Sequence, residues 1–348
     1  MSNTQLIVGL PAGSLADPNR GGSLIELLKR AGFHVQGYDK GGPSCFPLAG
    51  FLVGWDGRPQ EFGSQLAIGE IDVAIGGDDW IRERTLEFKY EYGQEIALKK
   101  VLALDRGKVR IVIIGARETA AAGDDWLKNL LSTKPLVSMV SEMPYLALEW
   151  FRGKAEALGF KESHWEFSVQ KFKTPPRIER GIVIYETWGK TEAKVKHGSV
   201  DFGLEITQTG RALENYGLCI FDELMTSEAG IWISPSLRDD PEKYDIARMF
   251  LLNLYGSIYA EDKVLVTFNT HKEDAGKILE YLRDNRLFGE EPTINEGVNY
   301  TEYSIEVKTG SAGLPLPKVR YELAKLGATS IETIPLESSI PELGVIDL

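Results

Sequence analysis

The chain has 348 residues, and its 39 Lys and Arg against 51 Asp and Glu give a formal net charge of −12. At about 100–200 residues per domain this length predicts two or three domains, and the 43% hydrophobic and 26% charged residues are ordinary for a globular protein. The acidic balance argues against broad nucleic-acid binding, and the two cysteines, Cys45 and Cys219, exclude a disulfide framework or a cysteine-based zinc motif.

Strands and helices alternate in the first third of the chain. Residues 6–10 form a short apolar run, residues 23–31 carry leucines at helical spacing, and residues 33–38 read as a second strand. A helical segment at 58–69 leads into a buried strand at 71–75. This β-α-β-α-β order predicts a mostly parallel sheet with helices on its faces.

The stretch from Gly41 to Gly57 is rich in Gly and Pro and has no clean period. We predict an irregular excursion here. Long irregular segments often carry function, so it is either a hairpin over a site or a packed surface loop, and the pattern does not separate the two.

A second series of elements begins near residue 108. It contains a helical pattern at 145–158, a shorter one at 191–197, and four apolar strands, at 109–114, 135–140, 165–169 and 200–206. A further apolar strand at 230–234 returns to the first half. Two α/β lobes around a cleft resemble the architecture of periplasmic solute-binding proteins.

The composition changes again after a long helical run at 241–259. The order that follows is β-α-(β)-β-α-β, which is typical of a small split-βαβ module of the ferredoxin-like α+β type. We therefore divide the chain into a first lobe (1–107 and 230–260), a second lobe (108–229) and a C-terminal domain (261–348).

Membrane association is not expected from the sequence. The chain has no apolar run of about 18 residues, and its first ten residues lack the basic start and apolar core of a signal peptide. The prediction is a cytoplasmic protein with neither a membrane nor a nucleic-acid partner.

The polar turn after residues 202–206 is the most informative segment. We expect a helix to start at Ala212 and end near residue 217, so that the turn directs several backbone N–H groups and a helix N-terminus at one point. Gly210 allows close approach, Thr207 and Thr209 offer hydroxyls, and Arg211 is suited to pair with phosphate oxygens. This pattern favours an anion site.

Two acids precede that turn on the same strand. Asp201 and Glu205 are four residues apart, which places both side chains on one face. Glu205, next to the turn, is suited to accept hydrogen bonds from sugar hydroxyls or to approach Mg²⁺. From the residues alone, a plain turn with solvated acids is an equally good interpretation.

The same segment resembles the phosphoribosyl-diphosphate loop of ATP phosphoribosyltransferase, the first enzyme of histidine biosynthesis. That family shows an acidic residue, then Asp-Leu-Val-x-Thr-Gly-x-Thr-Leu, then an Asn-Gly-Leu-like end. Here Asp201 matches the first acid, residues 205–213 match the core, and residues 215–218 match the end.

Other stretches agree with the family in collinear order across nearly the whole chain. Residues 6–15, 58–62 and 69–78 are similar to its N-terminal motifs, and residues 189–194 to its Gly-Ser-Val-Glu turn and helix. Residues 291–293 and 326–335 resemble the ACT-like regulatory domain of the family's long form. That likeness implies histidine as a feedback inhibitor and a homo-oligomer, from dimer to hexamer; a domain that only mediates assembly is the alternative.

The resemblance implies that N1 of the ATP adenine attacks C1 of phosphoribosyl diphosphate and that pyrophosphate leaves with Mg²⁺ bound. Asp201 and Glu205 would be the catalytic pair, binding ribose hydroxyls directly or through Mg²⁺ held by Glu205. The 5-phosphate would be held by Thr207, Gln208, Thr209, Gly210, Arg211 and Ala212. The nucleotide or pyrophosphate side would be formed by Gly13, Ser14, Arg58, Asp78 and Glu192.

Three of the residues assigned to the nucleotide side also suit a purely structural role. Arg58 also suits a surface helix, Asp78 also suits a helix cap, and Glu192 is placed to cap the helix that it begins.

Several positions depart from the family. Ala12 and Ser14 stand where the family has Lys and Arg, and Ala212 replaces the last Thr of the loop. The residues considered as replacements for this missing Lys and Arg are Arg20, Lys29, Arg30 and Lys40. These departures leave two alternatives to the enzyme itself: a paralogous phosphoribosyltransferase with another acceptor, and a non-catalytic cytosolic ligand sensor.

Overall fold

A computed structural model of the chain describes residues 4–12, 23–38, 43–120, 125–160, 165–288, 291–310 and 314–348. These residues form two compact units. The first contains the described parts of Met1–Ile25 and Val35–Ala247, and the second contains Glu26–His34 and the described parts of Arg248–Leu348. Among the helices in these ranges, none has the length and apolar character needed to cross a membrane.

The strands of the described residues are β1 (Leu6–Pro11), β2 (Leu52–Gly57), β3 (Val73–Gly77), β4 (Lys99–Ala103), β5 (Val109–Ala116), β6 (Leu136–Ser141), β7 (Glu166–Lys171), β8 (Gly181–Glu186), β9 (Phe202–Thr207), β10 (Leu218–Ser227), β11 (Ala229–Ile233), β12 (Lys263–His271), β13 (Thr293–Glu296), β14 (Tyr300–Lys308) and β15 (Thr329–Pro335). The helices are α1 (Leu24–Arg30), α2 (Pro59–Ala67), α3 (Asp78–Tyr92), α4 (Arg117–Ala120), α5 (Trp126–Thr133), α6 (Pro144–Ala157), α7 (Thr191–Lys196), α8 (Arg211–Asn215), α9 (Pro241–Tyr259), α10 (Ala275–Asp284) and α11 (Leu316–Lys325).

The first lobe is built on a sheet with strand order β2-β1-β3-β11-β4. β1 runs parallel to both of its neighbours, pairing Leu6 with Leu52 and Val8 with Val73. β11 is antiparallel to both β3 and β4. β1 and β3 are almost wholly buried, as expected for strands of a parallel sheet that helices cover.

Two sequence predictions in this lobe are wrong. Within residues 33–38 the structure has an isolated bridge from Gln36 to Cys45 instead of a strand. The free edge of β1 is taken by β2, which lies inside the predicted irregular excursion. The segment before β2 folds back on it, because the Asp56 carboxylate accepts the Ser44 amide at 2.7 Å.

The second lobe is built on a sheet with strand order β10-β5-β9-β6-β8-β7. β6, β7, β8 and β9 run parallel, and β5 is antiparallel to β9 and β10. Its core packs apolar side chains of β5, β6, β8 and β9 against α5 and α6. The two lobes thus form a mixed α/β fold, as predicted.

Two short connections join the lobes: residues 104–108 between β4 and β5, and Glu228 between β10 and β11. They are tied together, since Leu104 N donates to Ala229 O at 3.0 Å and Ala229 N donates to Arg106 O at 2.9 Å. In the first sheet β3 runs in the same direction as β4, and in the second β9 runs in the same direction as β10. The carboxyl ends of β1–β3 and of β6, β8 and β9 therefore lie at the two edges that these connections join.

Helix α3 packs on both lobes. On one side a Cβ at Gly63 of α2 would approach the Arg84 side chain to 2.7 Å, so the two helices are in close contact. On the other side Trp80 and Leu86 are buried in the core of the second lobe. The α3 helix thus belongs to the packing of both sheets.

The second unit contains β12, α10, β13, β14, α11 and β15 in that order, with sheet order β13-β14-β12-β15. All neighbouring strands are antiparallel. Leucine, isoleucine and valine side chains of α10 and α11 pack on one face of the sheet, where Phe268 and Tyr303 stack at 5.3 Å between ring centroids. The element order agrees with the split-βαβ order predicted from the sequence.

Candidate active site

The turn that the sequence predicts as an anion site, residues 207–210, connects β9 to α8. Gly210 precedes the helix with φ 78° and ψ −8°, a left-handed conformation that glycine adopts without steric cost. Its amide donates to Thr207 Oγ1 at 3.0 Å, which closes the turn. The helix begins at Arg211, one residue before the position predicted from the sequence.

Not every amide of the turn is open to a ligand. The Arg211 amide points to Thr209 Oγ1 at 3.5 Å, so this amide and that of Gly210 are directed at threonine hydroxyls of the turn itself. No hydrogen bond joins the amides of Gln208 and Thr209 to another described residue. Both residues are exposed. Because unpaired backbone donors seek an acceptor, these two amides are the groups that the turn offers to an anion.

Glu205 lies just before the turn, at the edge that faces the first lobe. Burial raises the pKa of its carboxyl to about 7, and the nearby carboxylates of Glu192 and Glu142 add to the rise. Hydrogen bonds from the Ile206 amide, at 2.9 Å, and from Thr191 oppose it. At neutral pH this carboxyl therefore exchanges readily between its charged and neutral forms.

The sheet brings together residues that sequence reasoning did not connect. Glu142 follows β6, and its Oε1 accepts the Gly189 amide at 2.5 Å. Thr191, the first residue of α7, is 1% exposed and follows the loop after β8. Glu192, predicted on the nucleotide side, lies in the first turn of α7 next to these groups. Only the strand order β9-β6-β8 makes them neighbours.

The carboxylates at this edge do not form a metal cage. Within the described ranges, no three His, Cys, Asp or Glu side chains are arranged to hold a metal ion. Mg²⁺ is commonly held by one or two carboxylates together with substrate phosphates. Glu205 fits that role as a single protein ligand to an ion that a diphosphate brings.

Asp201 does not lie at this edge. It precedes β9, and four residues of strand separate it from Glu205 by about 13 Å. Its Oδ2 accepts the Ser138 amide at 2.9 Å and the Ser138 hydroxyl at 3.0 Å, and Lys134 forms an ion pair with its other oxygen. The structure therefore does not bring Asp201 together with Glu205: both belong to one face of the strand, but they lie at its opposite ends.

Asp201 is instead expected to stabilise the sheet. The Asp201→Ala variant should lower the free energy of unfolding by about 1–3 kcal/mol, because the part-buried Ser138 amide and hydroxyl lose their acceptor. The affinity for phosphoribosyl diphosphate should not change. Denaturant unfolding and a binding isotherm check the two parts, and weakened binding at full stability would return Asp201 to the site.

Lys190 ends the loop between β8 and α7 and was not singled out by the sequence. It is exposed and adopts φ 61° and ψ 35°, a left-handed conformation that is costly for a residue with a Cβ. Its ammonium forms no ion pair within the described part of the chain. This places the backbone of Lys190 directly before Thr191 and Glu192, at the edge where Glu205 lies.

In the first lobe, Arg58 and Asp78 follow β2 and β3 at the facing edge. Arg58 is the N-cap position of α2, and no ion pair joins its guanidinium to another described side chain. Asp78 is engaged internally: its carboxylate pairs with Lys100 at 2.9 Å and accepts the Glu228 amide at 3.3 Å. Asp78 thus fastens a connection between the lobes, which is a different role from the predicted substrate contact.

Several cations and turn residues that the sequence suggested are not placed at this site by the structure. Gly13 and Ser14 lie outside the described residues, as do Arg20 and Lys40. Arg30 pairs with Glu261 at 3.2 Å in the second unit. The Lys and Arg missing near Ala12 are therefore not replaced by Arg30.

The family model for ATP phosphoribosyltransferase (HisG) matches residues 58–252, more than half of the chain. An ATP phosphoribosyltransferase of Trichlorobacter lovleyi is 26% identical over 97% of this chain and 100% of its own length. One of Geotalea uraniireducens is 27% identical over 98% of this chain and 100% of its own length.

Among solved structures, the ATP phosphoribosyl transferase (HisG:HisZ) complex from Thermotoga maritima is 17% identical with a TM-score of 0.47, covering 72% of this chain and 99% of that chain. The match to the family model extends from Arg58 through the β9–α8 turn to the middle of α9. By that match, the chain belongs to the ATP phosphoribosyltransferase family.

Proposed function

We propose that the protein transfers the phosphoribosyl group of phosphoribosyl diphosphate to N1 of ATP and releases pyrophosphate. The observation that carries this proposal is the β9–α8 turn, whose Gln208 and Thr209 amides are unpaired at an edge facing the other lobe. A parallel sheet binds ligands at the carboxyl ends of its strands, and an amide turn there suits a sugar phosphate. Family membership supplies the reaction.

The chemistry asks the protein mainly to position two anionic substrates. The transition state should resemble an oxocarbenium ion, so the gain comes from orientation and from charge stabilisation. The Gln208 and Thr209 amides and the Thr207 hydroxyl would hold the 5-phosphate. Glu205 would accept the ribose hydroxyls. Mg²⁺, when bound with the diphosphate, would neutralise the charge of the leaving group.

Arg58 would face the nucleotide from the first lobe. Its position after β2 lies at the edge opposite Glu205, and it has no described acid as partner. An ATP phosphate would supply the acceptor for its guanidinium.

One assay tests the reaction. The protein is incubated with ATP, phosphoribosyl diphosphate and Mg²⁺, and N1-phosphoribosyl-ATP is followed by its absorbance. Steady product formation is expected. Pyrophosphate release with a different base but not with ATP would show another acceptor, and ligand binding without turnover would show a sensor.

Lys190 is proposed to supply part of the positive charge that Ala12 and Ser14 lack. The Lys190→Ser variant should raise the KM for phosphoribosyl diphosphate about fivefold, as expected for loss of about 1 kcal/mol from a partly exposed charge–phosphate contact. Initial rates over a range of substrate concentrations measure this. Lys196→Ser removes the same charge from the last turn of α7, the helix that Lys190 precedes, and should leave KM unchanged. Equal effects of the two variants would mean that only net charge matters.

The second unit is proposed to be an ACT-like regulatory domain that binds histidine and assembles the chain into a homo-oligomer. Its βαββαβ order and antiparallel sheet support the fold part of this proposal. The β13–β14 hairpin, which contains Asn295 and Tyr303, is the segment that we propose for the histidine contact. Histidine inhibition of the assay above, and light scattering with and without histidine, test these two parts.

A further inference from the structure

Helix α6 of the second lobe has no cap of its own. Its N-cap position is Met143, whose side chain makes no capping hydrogen bond, and Pro144 follows at the first helical position. The first amides of a helix have no partner within the helix, so they need an acceptor from elsewhere.

That acceptor comes from α3. Glu83 Oε1 accepts the Tyr145 amide at 3.0 Å, and Glu83 Oε2 accepts the Leu146 amide at 2.7 Å. One carboxyl group therefore satisfies two amides of α6, and the positive end of the helix dipole favours an acceptor at this position.

The environment of Glu83 shows that this contact is specific. The residue is 2% exposed, and burial raises the pKa of its carboxyl to about 8. No described cation forms an ion pair with it, and the adjacent Arg84 pairs with Glu87. Burying a carboxyl group without a cation is unfavourable unless hydrogen bonds satisfy it, and here both come from α6.

The segment that precedes α6 also contains a residue of the candidate site. Glu142 lies three residues before Tyr145, it accepts the Gly189 amide, and its charge contributes to the raised pKa of Glu205. Ser141 Oγ accepts the Met143 amide at 2.8 Å, so the segment between β6 and α6 is held at both ends. A movement of the α6 N-terminus would therefore move Glu142.

We propose that Glu83 is a positioning residue that couples the two lobes: by capping α6 from α3, it fixes the edge of the second lobe against the first. The coupling itself follows from the contacts. Its effect on turnover rests on the proposed function, in which the two substrates are held by different lobes.

Spin-label distances test the coupling without any substrate. Nitroxides are attached at Ile68→Cys in the first lobe and at Lys128→Cys in the second, because both labelling positions are exposed. The native thiols are removed by Cys45→Ser and Cys219→Ser so that only the two labelling sites react. The parent should give one narrow distance distribution. Glu83→Met, which keeps the volume but removes both acceptors, should broaden it or shift it by several ångströms.

A matched control lies on the same helix. Glu91 Oε1 accepts the Tyr145 hydroxyl at 3.0 Å, so Glu91→Met removes a carboxylate from the same pair of helices but leaves the α6 amides capped. Its distribution should equal that of the parent. Glu83→Gln retains one acceptor oxygen and should restore much of the narrow distribution. If Glu83→Met does not fold, the distribution of Glu83→Gln tests the coupling in its place. A parent-like distribution in Glu83→Met, or broadening in Glu91→Met alone, would overturn the coupling.

Kinetics test the catalytic part. Glu83→Met should lower kcat about tenfold, while the KM for phosphoribosyl diphosphate stays within twofold, because the amides proposed to hold its phosphate belong to the β9–α8 turn and not to the segment that Glu83 holds. An unchanged kcat together with a broadened distance distribution would overturn the catalytic part alone. If the parent enzyme shows no turnover, the proposed reaction fails, and the distances still decide the coupling.

Discussion

Replacing Gly210 by Asp should weaken the binding of phosphoribosyl diphosphate about 100-fold. A Cβ at Gly210 would have ordinary contact with Ile220, at 3.7 Å, so the backbone has room for a side chain. The added carboxylate would stand a few ångströms from the 5-phosphate, and two like charges at that distance near a protein surface repel by about 3 kcal/mol, which corresponds to a factor of about 100 in affinity. Calorimetric titration with the substrate measures the loss.

Two controls separate charge from strain. Gly210→Asn has nearly the same shape as Gly210→Asp and tolerates the left-handed backbone almost as well, but it carries no charge. We expect it to cost less than tenfold. Gly198→Asp introduces an acid at another left-handed glycine with open space around it, φ 66°, and should bind normally. If Asn weakens binding as much as Asp, the effect is steric and the phosphate does not lie at this turn.

Replacing Glu205 by Gln should lower kcat by about 10- to 100-fold. A hydrogen bond to a charged acceptor contributes about 1.5–3 kcal/mol, and Gln keeps the shape but loses the charge and one acceptor. Steady-state kinetics at saturating ATP and phosphoribosyl diphosphate measure this. A variant that retains full kcat would remove Glu205 from the reacting end of the substrate.

The pH profile gives a second result for the same residue. The charged form of Glu205 is the acceptor, and its pKa in the free protein is raised to about 7. Because kcat/KM reports ionisations of the free enzyme, it should rise with pH through about 7 in the parent. The rise should be absent in Glu205→Gln. An identical rise in the variant would assign it to another group.

The fold could be predicted where the apolar pattern is regular. The strands at β1, β3, β5 and β6 and the helices α6, α10 and α11 follow from period and composition. For helix α3 the sequence indicated only a helix start near Asp78; its extent was not predicted, because Asp79 and Glu83 are buried among its apolar residues and interrupt the stripe. Strand β10 was missed because irregularities between Ile220 and Asp222 and between Glu223 and Met225 break its alternation.

The site could be predicted only where its residues are close in sequence. The turn and Glu205 are local neighbours, so a motif could reveal them. Glu142, Lys190 and Thr191 reach the same edge through other strands, and strand order is not readable from local pattern. Glu83 is further removed, since its role depends on a helix that ends up packed on both lobes.

The most direct test of the account is a crystal structure with phosphoribosyl diphosphate bound. We expect oxygens of the 5-phosphate about 3 Å from the backbone nitrogens of Gln208 and Thr209, with the ribose hydroxyls near Glu205. A substrate whose phosphate is held elsewhere, with those two amides facing solvent, would contradict it.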